Sequence, residues 1–186
     1  MKKRCLWVGN NPLYIKYHDT EWGVPVYDDA VLFEFLLLES FQAGLNWITI
    51  LKKRENFRSA FDNFDYTKIA NYDEYKYDEL LQNVGIVRHK LKIKSAILNA
   101  KLFMEVQKEF GSFSAYIWSF VAGKPIKNNF KNSAEVPAST ALSDTISKDL
   151  KKRGFKFVGA TIIYAYMQAI GMVNDHTTSC FKYSEF

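Results

Sequence analysis

Leu150-Lys151-Lys152-Arg153-Gly154-Phe155-Lys156-Phe157-Val158-Gly159-Ala160-Thr161 is a glycine-punctuated run rich in basic and aromatic residues. Before it, Ser139 or Thr140 can cap a helix reaching Arg153. After it, 160–170 carries apolar residues at helical spacing. Gly154 and Gly159 bracket a connection short enough only for a tight corner. Two helices therefore meet at a turn beside four basic residues, Lys151, Lys152, Arg153 and Lys156. Backbone N–H groups at such a turn and helix start can hold a phosphate. The plain alternative is a helix corner with a solvated basic end.

The same punctuation extends outward. Asp28-Asp29 can cap a helix to Phe41, ended by Gly44. Asn46 is a plausible N-cap for 47–61. Asp65 and Asp73 begin two short helices, the second reaching Val84. Arg88 to Phe110 reads as one long helix with Leu91, Ala96, Ile97, Ala100 and Phe103 inward. Gly111 breaks it, and Ser112 or Ser114 starts a short aromatic helix to Val121. The only long loop is 123–137, and no alternating strand pattern competes. The expectation is an all-α fold in a single domain, 1–186.

Composition agrees. A chain of 186 residues with 48% apolar and 24% charged residues can build its own core, which excludes a disordered or collagen-like chain. No apolar stretch approaches the roughly 20 residues needed to span a bilayer, so no membrane association is expected. Met1 to Trp7 lacks the apolar centre of a secretory signal, which makes a cytoplasmic location the expectation. The net charge of +5 and pI near 9.0 favour polyanions, though only weakly. Two further basic clusters, Arg88/Lys90/Lys92/Lys94 and Lys52-Lys53-Arg54, read at least partly as solvated surface.

Three constellations can carry chemistry. Cys5 and His18 are spaced C-x12-H, and His176 and Cys180 H-x3-C. An i, i+4 pair on one helical turn offers two ligands on one side. Two thiolates and two imidazoles make a closed tetrahedral zinc site of the structural kind, pinning the chain ends together. Unrelated core and surface residues are the alternative. Glu39 lies among Leu32, Phe35 and Leu36 in the last turn of its helix, where the macrodipole disfavours an anion. Burial and dipole together call for a compensating cation or strong donors; otherwise the side chain bends to solvent. Finally, Trp7, Tyr14, Tyr17, Trp22, Tyr27 and Trp47 crowd the first fifty residues. Aromatic walls suit flat ligands, cationic ones above all, although an aromatic-rich core has the same composition.

Longer motifs carry a resemblance. Arg4-Cys5-Leu6-Trp7, Asn11-Pro12-Leu13-Tyr14 and Tyr17-His18-Asp19-Thr20-Glu21-Trp22-Gly23-Val24-Pro25 are similar to the opening of the DNA-3-methyladenine glycosylase I (Tag) family. The similarity continues through Leu38-Glu39, Gln42-Ala43-Gly44-Leu45-Asn46-Trp47-Ile48-Thr49 and Leu51-Lys52-Lys53-Arg54-Glu55. It resumes at Gly85-Ile86-Val87-Arg88-His89, Trp118-Ser119-Phe120-Val121, the run that begins at Leu150, Met167-Gln168-Ala169 and Val173-Asn174-Asp175-His176.

This resemblance implies a helix-hairpin-helix DNA glycosylase fold. It implies an enzyme that flips a methylated base out of duplex DNA and hydrolyses its N-glycosidic bond. It further implies one structural zinc per chain, held by Cys5, His18, His176 and Cys180 and joining the N- and C-terminal segments. The implied base pocket has Glu39 as the catalytic residue, with Tyr17 and Trp47 and, around them, Trp7, Tyr14 and Trp22. The implied DNA contacts are Gly44 and Leu45 at the gap left by the flipped nucleotide, and Lys151, Lys152, Arg153 and Lys156 at the hairpin. The expected partner is double-stranded DNA containing alkylated bases, met by a monomer.

The chain departs from the pattern in places. Asn11 replaces a common Asp and Asn46 a Ser. Phe155-Lys156-Phe157 stands where many superfamily hairpins have Gly-x-Gly. Asn174 occupies the place of the superfamily's catalytic Asp, with Asp175 one residue late. No lysine is placed by motif for a Schiff base, so hydrolysis without strand cleavage is expected. A zinc-stabilised DNA-binding module and a small-molecule binder for cationic aromatics are the competing functions.

Overall fold

A computed structural model describes residues 2–185; Met1 and Phe186, the ends of the expected 1–186 domain, lie outside the described residues. The chain is all-α, as expected. The helices are α1 (Pro12–Thr20), α2 (Asp29–Gln42), α3 (Trp47–Ala60), α4 (Tyr66–Ile69), α5 (Glu74–Gln82), α6 (Lys90–Phe110), α7 (Phe113–Ser119), α8 (Ala141–Lys152) and α9 (Ala160–Ala169).

The caps explain the boundaries. Side chains of Asp28, Asp65, Asp73 and Ser112 accept from the orphan N–H groups of the turns they precede. Thr140 and Ser143 form a reciprocal capping box on α8. Hydrophobic periodicity does not mark helix α1. Its start was nevertheless written in Asn11-Pro12, because Asn11 accepts from Leu13 N and proline suits the first helical position.

Three expectations are corrected. α6 begins at Lys90 rather than Arg88, because His89 is its N-cap. Leu91 does not face inward: it is 62% exposed, while Lys92 and Ile93 are buried. The loop 123–137 holds a short strand, β1 (Ile126–Lys127), paired in parallel with β2 (Val173–Asn174). Two residues per strand are too few for alternation to show in sequence.

Helix α2 is the axis of the core. Leu32 to Phe41 are all buried, because α3, α6, α7 and α9 pack around it. The expected hairpin is α8, the turn 153–159, and α9, with the two helices in close contact. Its turn is fastened from outside. Asn99 of α6 donates to Lys156 O and accepts from Lys156 N, both at 2.9 Å. Ser147 donates to Val158 O at 2.6 Å, and Ser40 of α2 donates to Phe157 O at 3.3 Å. Those bonds hold Phe157 at φ 55°, a left-handed conformation costing a non-glycine residue about 1–2 kcal/mol.

Candidate active site

The loop before α1, α1 itself, the C-terminal turn of α2, the start of α3, and α9 enclose a cavity of about 330 Å³. That is at the small end for small-molecule sites (about 300–1,000 Å³). Trp7, Tyr14, Tyr17, Trp22, Glu39 and Trp47 all line it. Tyr27, grouped with these aromatics by sequence, does not: it stacks on Trp118 at 4.5 Å and is half exposed.

The walls hold one another. Trp7 meets Tyr14 edge-on at 5.4 Å and Trp22 at 5.1 Å, and Tyr17 lies 5.5 Å from Trp47. The Tyr14 hydroxyl accepts from Ile48 N at 3.0 Å. It thereby serves the first turn of α3, whose N-cap Asn46 makes no side-chain cap bond.

Glu39 is buried, and its Oε2 has no hydrogen-bond partner. Among the described residues no cation compensates it, contrary to the expectation from sequence. The arginines of α3 are engaged elsewhere: Arg54 donates to Glu21 at 2.6 Å and Glu34 at 2.8 Å, and Arg58 to Glu34 at 2.7 Å. Within Lys52-Lys53-Arg54, Lys52 is exposed as read, whereas Arg54 is not simple solvated surface. Burial alone pushes the Glu39 carboxyl up to about 8. Burial, reinforced by Glu39, also raises the Tyr17 phenol well above its usual range, so Tyr17 remains a neutral donor.

Among the described residues two more buried polar side-chain atoms lack a partner, Trp47 Nε1 and Ser133 Oγ. Both belong to lining residues of the same cavity. Each unsatisfied buried group costs about 1–3 kcal/mol, and all three of these belong to residues that wall this one cavity. Sequence reasoning did not single out Ser133, because it opens a single 3-10 turn, Ser133–Glu135, inside the stretch read as a long loop.

Asp175 also lines the cavity. Its carboxylate accepts from Tyr164 at 2.6 Å, Asn128 at 2.7 Å and Gln168 at 2.8 Å. Three donors fix it as an anchor for the C-terminal segment.

Beside the pocket, Cys5, His18, His176 and Cys180 converge. All four are buried, and their donor atoms lie within 4.8 Å of one another. Cys180 Sγ is 3.4 Å from His18 Nε2 and 3.6 Å from His176 Nδ1; Cys5 Sγ is 3.7 Å from His176 Nδ1. Tetrahedral zinc bonds of about 2.3 Å to sulfur and about 2.0–2.1 Å to nitrogen require donor separations of about 3.4–3.8 Å. The three separations above fall in that range and all four donors lie within 4.8 Å, so the donor set and its spacing could hold a metal ion. His176 and Cys180 do not share a helical turn, contrary to expectation. They follow β2 in an irregular segment, closed by Cys180 N donating to Thr177 O at 2.7 Å.

The surrounding shell supports the cluster. His18 Nδ1 pairs with Asp19 at 2.8 Å, Asp19 with Arg4 at 2.7 Å, and His176 Nε2 with Trp22 O at 3.2 Å. Gly23 makes room: a Cβ there would stand 2.8 Å from His176 Nε2.

The remaining nominated residues are on the surface. Gly44, at φ 77°, and Leu45, 39% exposed, form the tip after α2. Lys151, Lys152 and Lys156 are exposed at the hairpin. Arg153 is engaged by Glu109 at 2.6 Å and Asp149 at 2.8 Å, and covers the rings of Phe110 and Tyr116.

A helical fold, a hairpin with exposed lysines and an aromatic pocket around a buried acid fit a class of protein that meets a polyanion and holds a flat group in its pocket. A family described as methyladenine glycosylase matches residues 7–183, and the chain belongs to that family. DNA-3-methyladenine glycosylase 1 of Escherichia coli is 50% identical over 181 residues, spanning 97% of each chain. A crystal structure of 3-methyladenine DNA glycosylase I (TAG) aligns at TM-score 0.93 with 52% identity, covering 96% of this chain and 98% of that one. The Staphylococcus aureus glycosylase, solved to explain 3-methyladenine recognition, aligns at TM-score 0.95 with 34% identity, covering 98% and 97%.

Proposed function

We propose that the protein is a monofunctional DNA glycosylase that hydrolyses the N-glycosidic bond of 3-methyladenine in alkylated duplex DNA, opening base excision repair. The carrying observation is Glu39, a buried carboxyl group without a partner in a pocket walled by aromatic rings. A methyl group on N3 leaves the purine in DNA cationic and makes it a good leaving group. Such a base supplies the positive charge that Glu39 lacks. Trp47 stacks on its face, and Tyr17 adds a neutral hydroxyl. As the bond breaks, charge passes from base to sugar. DNA phosphates and the Glu39 carboxylate stabilise it until water attacks. Flipping costs a few kcal/mol, less for a damaged base.

Cys5, His18, His176 and Cys180 hold one zinc ion in this reading, because paired thiolates and imidazoles are its preferred structural set. With four protein ligands its contribution is coordination that fastens the chain ends. The enzyme acts as a cytoplasmic monomer on double-stranded DNA. Chromatography of bases released from methylated DNA tests the reading: free 3-methyladenine with intact strands is expected. Absence of released base would refute it, and a borohydride-trapped enzyme–DNA adduct would refute hydrolysis without lyase chemistry.

The pH profile has a defined sign. Below about 8 the free enzyme holds Glu39 neutral, and a neutral acid does not attract a cation. kcat/KM for the permanently cationic lesion should therefore rise with pH, by at most about tenfold per unit, and level off near 8. A flat or falling profile from pH 6 to 9 would contradict this.

Salt dependence separates the hairpin residues. Removing Lys151, Lys152 or Lys156 should flatten the slope of log K against log salt by about one unit or less. Arg153→Ala should leave the slope unchanged, because Arg153 already serves Glu109 and Asp149 and fastens the hairpin. Unaltered slopes in all three lysine variants would place the hairpin outside the DNA interface.

A further inference from the structure

Lys92 stands in the first turn of α6, where its own helix's macrodipole disfavours a cation, yet it is only 6% exposed. Its neighbours in the basic cluster, Arg88, Lys90 and Lys94, are exposed. Lysine is rarely buried without a partner. Here the partners are main-chain carbonyls: Nζ donates to Phe41 O at 2.8 Å and Ala43 O at 2.6 Å. These belong to the C-terminal end of α2, where carbonyls lack helical partners and the dipole is negative. The ammonium is misplaced for α6 and well placed for α2. It also lies 6.0 Å from the centre of the Phe157 ring in the hairpin turn.

Lys92 thus sits where the end of α2, the start of α6 and the hairpin meet. The chain continues from Ala43 into Gly44 and Leu45, a turn closed by Leu45 N donating to Gln42 O at 2.6 Å. We infer that Lys92 is a positioning residue for base flipping: it fixes the Gly44–Leu45 tip against the hairpin, so that the tip fills the gap left by the extruded nucleotide. This inference rests on the glycosylase reading above.

A residue that only stabilised the fold would affect every substrate alike. One that holds the gap-filling tip matters most where the base must be pulled from a paired stack, and least where it is already unpaired. The test compares single-turnover excision of 3-methyladenine placed opposite thymine and opposite an abasic analogue. For Lys92→Met, kcat/KM should fall about 10–50-fold on the paired site and within about 3-fold on the unpaired one. Affinity for free 3-methyladenine, read by tryptophan quenching, should be unchanged. Lys92→Arg, which keeps the charge and donors, should retain the wild-type ratio of paired to unpaired rates within about 3-fold. Should the Met variant fail to fold, Lys92→Gln is expected to show the same split at smaller size. Equal losses on both sites, or no loss on the paired site, would overturn the inference while leaving the glycosylase reading intact. A wild-type enzyme inert on both duplexes would overturn that reading itself.

Discussion

Glu39→Gln is expected to give a protein that is more stable and much less active. The kinetic half follows from charge, which Glu39 carries above about pH 8. A hydrogen bond to a charged group contributes about 1.5–3 kcal/mol, so at pH 8.5 a neutral amide should lower kcat/KM by about 10–150-fold, and by less at lower pH. The stability half follows from linkage. The carboxyl titrates near 4.5 when solvated and at about 8 in the folded protein. Between those values the folded state keeps a proton that the unfolded state has lost. Stability therefore falls as pH rises through this window, by up to about 1.4 kcal/mol per unit. At pH 7 the accumulated cost is about 3 kcal/mol, which the amide avoids. Melting temperatures of wild type and variant should nearly coincide at pH 4.5 and separate by about 6–12 °C at pH 7. Parallel curves would mean that the buried acid carries no such burden.

If Cys5, His18, His176 and Cys180 hold zinc as proposed, removing it should have the larger structural effect. Cys5 and His18 come from the first twenty residues, and His176 and Cys180 from the last eleven. The same segments build the pocket: Trp22 joins His176 through its carbonyl, α1 carries Tyr14 and Tyr17, and Thr177 lines the cavity. Cys5→Ser, or exhaustive chelation, should lower stability by at least about 4 kcal/mol, or roughly 10–15 °C. That is well below the about 10–16 kcal/mol of zinc-finger peptides, because α2 to α9 keep their core. Excision should be lost with it, since the walls come apart. Elemental analysis should give one zinc per chain in the wild type and a loss of zinc in the variant. A metal-free variant with unchanged melting and excision would remove the cluster from the structure's support.

The helices were legible because their ends are written in local chemistry. Asp28, Asp65, Asp73, Ser112 and Thr140 all cap where the sequence places them. Five of the six pocket residues were legible as an aromatic cluster close together in sequence, and Glu39 as an acid among apolar helical neighbours. What stayed hidden depends on partners far along the chain. Leu91 looked like an inward residue and Lys92 like a solvated one. Their roles exchange because two carbonyls about fifty residues away receive the ammonium. Arg153 looked free until Glu109 took it up. Glu39 should have had a partner by every local argument. Its solitude is visible only once the chain has folded around it.

The most direct measurement compares two ligands of one shape: the 3,9-dimethyladeninium cation and its neutral 3-deaza isostere, each titrated against wild type and Glu39→Gln at pH 8.5. The wild type should prefer the cation by at least about tenfold, and the variant should bind both within about twofold. Equal preference in the two proteins would show that the buried acid does not select the lesion by its charge.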